Sequence, residues 1–223
     1  MLRIRGLSKS FTNHLRGGDT RAVLSQVDLD VAAGQCVVLT GASGSGKSSL
    51  LRCVYGSYTV DAGRIELDTP SGVADLAAVP DRELIRIRRE HVGMVTQFLS
   101  VPPRISAVDL VTEQGVPAAW ATELLTDLGL QPELHGLAPA TFSGGERQLV
   151  NIAIALARPR PLLLLDEITA SLDHGRRSTV LSVLRERKES GTALLAIFHE
   201  LPDHPGLIDE VCQLAAGRLK ETV

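Results

Sequence analysis

Gly41-Ala42-Ser43-Gly44-Ser45-Gly46-Lys47-Ser48 follows the spacing G-x-x-x-x-G-K-[ST], which wraps backbone around a phosphate chain. Glycines 41, 44 and 46 let the chain bend so that successive N–H groups point inward at phosphate oxygens. Lys47 is placed to reach the β- and γ-phosphates, and the Ser48 hydroxyl to hold Mg²⁺. Ser49 follows at the head of the next helix, whose N-terminus adds the positive end of its dipole. Asp166-Glu167 closes a run of four leucines. Asp166, at a strand tip, is placed to bind the metal opposite Ser48, and Glu167 to polarise a water for in-line attack. Phe142-Ser143-Gly144-Gly145-Glu146 reads first as a capping box, S-x-x-E, at a helix start. A capping box does not need Gly144-Gly145. Those glycines make a second anion site, this one without a lysine. Two such sites suggest one nucleotide held between two chains.

These groups need rigid elements to hold them. Cys36–Thr40 is an apolar run before the phosphate loop and reads as a buried strand; Ser49–Tyr55 reads as a helix stopped by Gly56. Leu2–Ile4, Val27–Val31 and Gly63–Asp68 alternate polar and apolar residues, as half-exposed antiparallel strands do. Asn13–Arg21 is polar and Gly-rich and reads as a loop. Asp81–Arg89 reads as a basic, solvated helix, and Val92–Gln97 as a short strand. Ala118–Leu128 has helical spacing, and Ser143 opens an apolar helix through Ala157 that ends before Pro159. Leu162–Asp166 and Ala193–His199 are continuous apolar runs, typical of parallel strands covered on both faces. Val211–Leu219 reads as an edge hairpin around Gly217. Strands alternating with helices imply an α/β core, in which ligands bind beyond the carboxyl ends of the strands. The phosphate loop, Gln97, Asp166-Glu167 and His199 all fall at such ends.

The chain has 223 residues, is 44% hydrophobic and 22% charged, and carries a net charge of −3. It can therefore bury a sizeable core, and it lacks the basic field of a general nucleic-acid binder. Its three cysteines, Cys36, Cys53 and Cys212, are far apart; they suggest buried thiols in a reducing cytosol rather than disulfides or a zinc site. The N-terminus has no apolar signal core, and no apolar run approaches the ~20 residues that span a bilayer. Cytoplasmic location is the expectation, with peripheral membrane attachment if the partner is a permease.

Taken in order, the loop at 41–48, Ser-Gly-Gly-Glu at 143–146, Asp-Glu at 166–167 and Ser171-Leu172-Asp173 resemble the ATP-binding cassette (ABC) ATPases. The resemblance covers nearly the whole chain. It implies a P-loop NTPase core plus antiparallel β subdomain (1–97 and 158–223) and a helical subdomain (98–157), together one ABC domain. It implies a head-to-tail homodimer, or a heterodimer with a sister ATPase. Each ATP would sit on one chain's phosphate loop and against Ser143, Gly145 and their neighbours on the other chain. By the same resemblance Gln97 contacts Mg²⁺ or the attacking water, and His199 contacts the γ-phosphate. Phe11 matches the adenine-stacking aromatic, with a core phenylalanine as the alternative reading. The other histidines (14, 91, 135, 174, 204) read as surface residues. Glu146 replaces the commoner glutamine, Leu149 and Ile154 stand where arginines are frequent, and Ile168 stands where proline is usual. None of these changes removes a phosphate or metal contact.

Within the family, residues 95–107, Leu51-Arg52 with Tyr55, Leu137–Pro139 with Thr141–Glu146, Val150–Ala153 and Ile197–His199 resemble the L subunit of the bacterial carbon–phosphorus lyase (phosphonate-degradation) system. Residues 108–130 look shorter than that subunit's helical region. The alternatives are the ATP-hydrolysing subunit of a membrane transporter or lipoprotein-release complex, and a non-hydrolysing switch that dimerises on ATP. Glu167 argues against the switch, which has no need of a water-activating carboxylate.

Overall fold

The structure is a computed structural model that describes residues 1–13, 18–96 and 104–222. The chain begins with two long strands, β1 (Leu2–Asn13) and β2 (Asp19–Val31), followed by β3 (Cys36–Thr40) and helix α1 (Lys47–Val54). Next come β4 (Ala62–Thr69), β5 (Gly72–Asp75), α2 (Asp81–His91) and β6 (Val92–Val95). Helices α3 (Ala107–Thr112), α4 (Ala118–Asp127) and α5 (Gly144–Leu156) then lead to β7 (Leu162–Asp166). The chain closes with α6 (His174–Glu189), β8 (Ala193–Ile197), β9 (Glu210–Ala215) and β10 (Arg218–Thr222).

Two sheets result. An antiparallel sheet has the order β2-β1-β4-β5, and a six-stranded sheet has the order β10-β9-β3-β8-β7-β6. The second is parallel from β9 to β6, with β10 as its antiparallel edge. The strand period of two divides the central strands between two cores. Val37, Leu39, Leu162, Leu164, Leu195 and Ile197 face the antiparallel sheet and α1. Cys36, Val38, Leu163, Leu165, Leu194 and Ala196 face α3, α4, α5 and α6. Covered on both sides, β7 and β8 have no exposed residue, which is why they read as unbroken apolar runs.

The apolar face of α5 explains two departures from the usual signature helix. Leu149 is fully buried and Ile154 packs against the same core, so apolar residues fill positions where arginines are frequent. All three cysteines are buried thiols outside any disulfide; burial pushes the Cys36 thiol up to about 12 and the Cys53 thiol to about 11. No helix among the described residues is long and apolar enough to cross a membrane.

Some sequence expectations need correction. The stretch 13–21 is not all loop, because pairing continues from Leu2↔Val31 out to Asn13↔Asp19, placing Phe11 opposite Arg21. Backbone pairing carries these strands past the point where side-chain alternation stops. Helix α1 starts at Lys47, two residues earlier than the apolar pattern indicates. His135 is buried, because its Nε2–H donates to the Leu130 carbonyl at 3.1 Å beneath the turn that follows α4. His91 is also largely covered, with 14% of its side chain exposed, and His204 lies half-buried beside Ser182. His14 lies outside the described residues.

Candidate functional site

Strand register brings the chemical groups to one edge. Leu39 and Asp166 are each paired with Ile197, and Val95 with Leu165. The residues just past those pairs therefore emerge side by side: Thr40 and the phosphate loop, Phe198-His199, Glu167 and Thr96. Gln97 follows Thr96 but lies outside the described residues. A cleft of about 690 Å³ opens at this edge, lined by loop residues from Gly41 to Ser49 and by Phe11, Glu167 and His199.

The loop is held where only glycine fits. Gly41 has φ +137°, and a Cβ there would lie 2.2 Å from the Leu214 carbonyl oxygen. Gly46, the N-cap of α1, has φ +108°, and its Cβ would lie 2.8 Å from the Val23 carbonyl. Gly44, with φ +74°, has open space around it, so backbone there is free to meet a ligand. The Lys47 ammonium bridges the loop, donating to the carbonyls of Gly41 (2.7 Å) and Ala42 (3.0 Å). The Ser45 hydroxyl is buried without a partner, an unmet hydrogen-bonding group inside the same turn.

Ser48 Oγ donates to Asp166 Oδ1 at 2.9 Å, joining residues 118 positions apart. Asp166 is 7% exposed; burial pushes its carboxyl above the ordinary range, the Ser48 bond opposes that, and the Glu167 charge adds to it. One hydroxyl and one carboxylate are hard oxygen donors of the kind Mg²⁺ uses, with phosphate oxygens and water completing its shell. Among the described residues no group of three or more His, Cys, Asp or Glu offers a closed protein cage for a metal. The residues present thus fit Mg²⁺ brought with a phosphate chain. Glu167 has φ +52°, a left-handed conformation uncommon for glutamate, and its N–H donates to the Ile197 carbonyl at 2.9 Å. The turn re-aims the side chain out of the strand and into the cleft wall.

Phe11 is 37% exposed and stands edge-on to Tyr58 with ring centroids 5.1 Å apart, so it is not a core phenylalanine. It lines the cleft mouth, together with Arg21, which sequence reasoning placed in a loop and therefore missed. The pairing of Phe11 with Arg21 was the missing signal.

Ser143–Glu146 do not line this cleft. They cap α5 with a complete capping box, and a Cβ on Gly145 would lie 3.0 Å from the Ser171 carbonyl, so the turn is pressed against 171–173. Sequence reading also missed Gln148 and Asn151. Both are buried in α5, and their amides donate to the Thr96 carbonyl at 3.1 and 2.7 Å. They tie the helix behind Ser143 to the strand end that leads into Gln97.

Comparison with known proteins agrees with this geometry. The ABC transporter family matches residues 24–170. The lipoprotein-releasing system ATP-binding protein LolD of Ruegeria sp. (strain TM1040) is 36% identical over 229 residues, 99% of this chain and 97% of that protein. The macrolide export ATP-binding/permease protein MacB of Escherichia coli is 33% identical over 95% of this chain. The methionine import ATP-binding protein MetN of Sodalis glossinidius is 33% identical over 99%. The chain spans 33% of the length of MacB and 64% of that of MetN. The dimeric ATP-binding cassette MJ0796, in a post-hydrolysis state with ADP and Pi, superposes with a TM-score of 0.86 at 24% identity, covering 99% of this chain and 97% of that one. The fold is accordingly the ABC form of the P-loop NTPases, an α/β core with an added antiparallel sheet and a helical region. Family match, relatives and architecture agree: this chain belongs to the ABC transporter family and is an ABC-type ATPase.

Proposed function

We propose that this chain is the ATP-hydrolysing subunit of a membrane transporter or lipoprotein-release complex, working as a head-to-tail dimer with itself or a sister cassette. The observation that carries the dimer is the separation of two anion-binding stretches: the cleft gathers the phosphate loop, Glu167 and His199, while Ser143–Glu146 lie away from it. Gly144-Gly145 at the head of α5 then serve a nucleotide seated in another chain. Dimeric cassettes of the same fold support this reading. The named relatives are transporter and lipoprotein-release ATPases, and none is a carbon–phosphorus lyase subunit. They favour a permease partner over the phosphonate reading. The chain would then sit peripherally at the cytoplasmic face of a membrane.

In this account the loop N–H groups and Lys47 cradle the phosphates, and Phe11 stacks on the adenine. Ser48 and Asp166 would hold Mg²⁺, and Gln97, outside the described residues, would contact that ion or the attacking water. Bound there, the ion would supply neutralisation of phosphate charge. Glu167 orients and polarises a water against the γ-phosphorus; the bond to the β–γ bridging oxygen breaks, and ADP and phosphate result. His199 holds the γ-phosphate side of the cleft. Lys47→Ala tests the cleft: Mg-ATP affinity should fall by on the order of 10²-fold, as loss of a charge-assisted contact predicts. Wild-type affinity would remove the loop from the account. Capture from membranes with Glu167→Gln and ATP tests the partner: a multi-span protein supports the permease reading, and lyase proteins would reverse it.

A further inference from the structure

The capping box at Ser143 has a chemical consequence for the nucleotide it is meant to meet. Glu146 Oε2 accepts from the Ser143 N–H at 2.9 Å and from Ser143 Oγ at 2.7 Å. Ser143 Oγ in turn accepts from the Glu146 N–H at 3.4 Å. An ionised carboxylate can only accept, so the proton between the two side chains belongs to serine. The Glu146 carboxyl is held below its ordinary range, first by the Ser143 hydroxyl, then by the Ser143 amide, with Arg176 adding to them. Ser143 thus turns its single proton inward, toward Glu146. What it can offer outward is a lone pair, and a phosphate oxygen is itself an acceptor. Glutamine at 146 would complete the same cap without a negative charge.

A second partner for the carboxylate stands on the other side. Arg176 Nη2 lies 3.6 Å from Glu146 Oε1 and its Nε lies 3.5 Å from Asp173 Oδ2. Asp173 is the N-cap of α6, accepting from the Arg176 N–H at 2.9 Å. The guanidinium is therefore fixed within reach of Glu146 by the turn that Gly145 packs against.

We propose that Glu146 is a positioning residue that withholds the signature hydroxyl: Ser143 becomes a donor to a phosphate in a second chain's cleft only when the Glu146 carboxylate releases it and is held by Arg176 instead. This rests on the pairing reading above and adds a threshold to it. The carboxylate opposes the approach of the triphosphate by like charge and by competing for the serine proton, and Arg176 lowers that opposition.

The test measures the dimer dissociation constant at saturating Mg-ATP, by sedimentation velocity, in a Glu167→Gln chain that keeps its nucleotide. Adding Glu146→Gln should tighten pairing by roughly tenfold, the scale of removing one like-charge contact from an interface. Adding Arg176→Gln instead should weaken it several-fold, and should change nothing once Glu146→Gln is present, because the two act on one event. A role confined to capping α5 predicts no tightening from Glu146→Gln. Arg176→Lys, which keeps the charge, should restore most of the pairing lost in Arg176→Gln. Unfolding midpoints within about 3 °C of the parent show that the variants fold. Dimers whose dissociation constant is unmoved or raised by Glu146→Gln overturn this proposal alone. No ATP-dependent dimer in the parent chain overturns the pairing reading and the proposal with it.

Discussion

Replacing Asn151 and Gln148 by alanine, singly and together, should reveal a coupling between the signature helix and the end of β6. Asn151 is 7% exposed and Gln148 2% exposed, and both donate to one acceptor, the Thr96 carbonyl. Each single change removes its own bond to Thr96 and the 3.4 Å bond that Asn151 Nδ2 donates to Gln148 Oε1, about 1 kcal/mol each, and leaves a small void worth about another. The carbonyl keeps the other amide in each single variant. The double variant removes three bonds and leaves two voids, and the Asn151–Gln148 bond, counted in both single variants, is lost only once. We expect about 3 kcal/mol for each single change and about 5 kcal/mol for the pair, about 1 kcal/mol less than the sum because one bond is shared. Urea unfolding of the four proteins measures it, with equal m-values required for the comparison. Because residue 97 follows Thr96 directly, turnover at saturating ATP should also fall most in the double variant. Single costs below about 0.5 kcal/mol, or costs that simply add, would refute the clamp.

Further outcomes follow from the same contacts. Gly41→Ala should lower the unfolding midpoint and Mg-ATP affinity together, since its Cβ would lie 2.2 Å from the Leu214 carbonyl in a backbone conformation of φ +137°. With thiols raised to about 12 (Cys36) and about 11 (Cys53), the buried cysteines should not react with a thiol reagent at pH 8 until the chain is unfolded. Glu146 has its folded-state carboxyl lowered from the ordinary glutamate value of 4.5, so its contribution to stability is present above that pH and is lost as pH falls through the folded value. Thermal unfolding should therefore show wild type and Glu146→Gln converging as pH is lowered from about 5 toward 3.

The parts of the site that a sequence can show are those carried by contiguous residues. Gly41–Ser48 and Asp166-Glu167 announce themselves because strand, turn and ligand lie in one stretch, and because β7 is covered on both faces and must be apolar throughout. Contacts between distant residues leave no such trace. Gln148 and Asn151 look like polar interruptions of an apolar helix until their acceptor, 52 and 55 residues earlier, is in view. Lys188 ends α6 as an ordinary basic residue, yet it is 8% exposed and donates to Asp209 at 2.7 Å and to the carbonyls of Gly206 and Leu207. His135 lies in a loop and so reads as a surface residue, whereas it is 6% exposed and bonded to the Leu130 carbonyl just past α4. The β1–β2 hairpin runs past its alternating segment because backbone bonds sustain it, and that extension brings Arg21 to the cleft beside Phe11. Subtype is the least legible level: short segments resemble a lyase subunit, while the relatives named above favour a transporter.

The central claim is that one chain's cleft is completed by another chain's signature turn. Mixing Lys47→Ala, which spoils the cleft, with Ser143→Arg, which blocks the signature, tests it most directly. Each variant alone should be inactive. In an equal mixture, paired chains of the two kinds contain one intact composite site, and ATP hydrolysis should return to at most about a quarter of the wild-type rate. A mixture no more active than its two components, with mixed dimers shown to be present, would contradict the account.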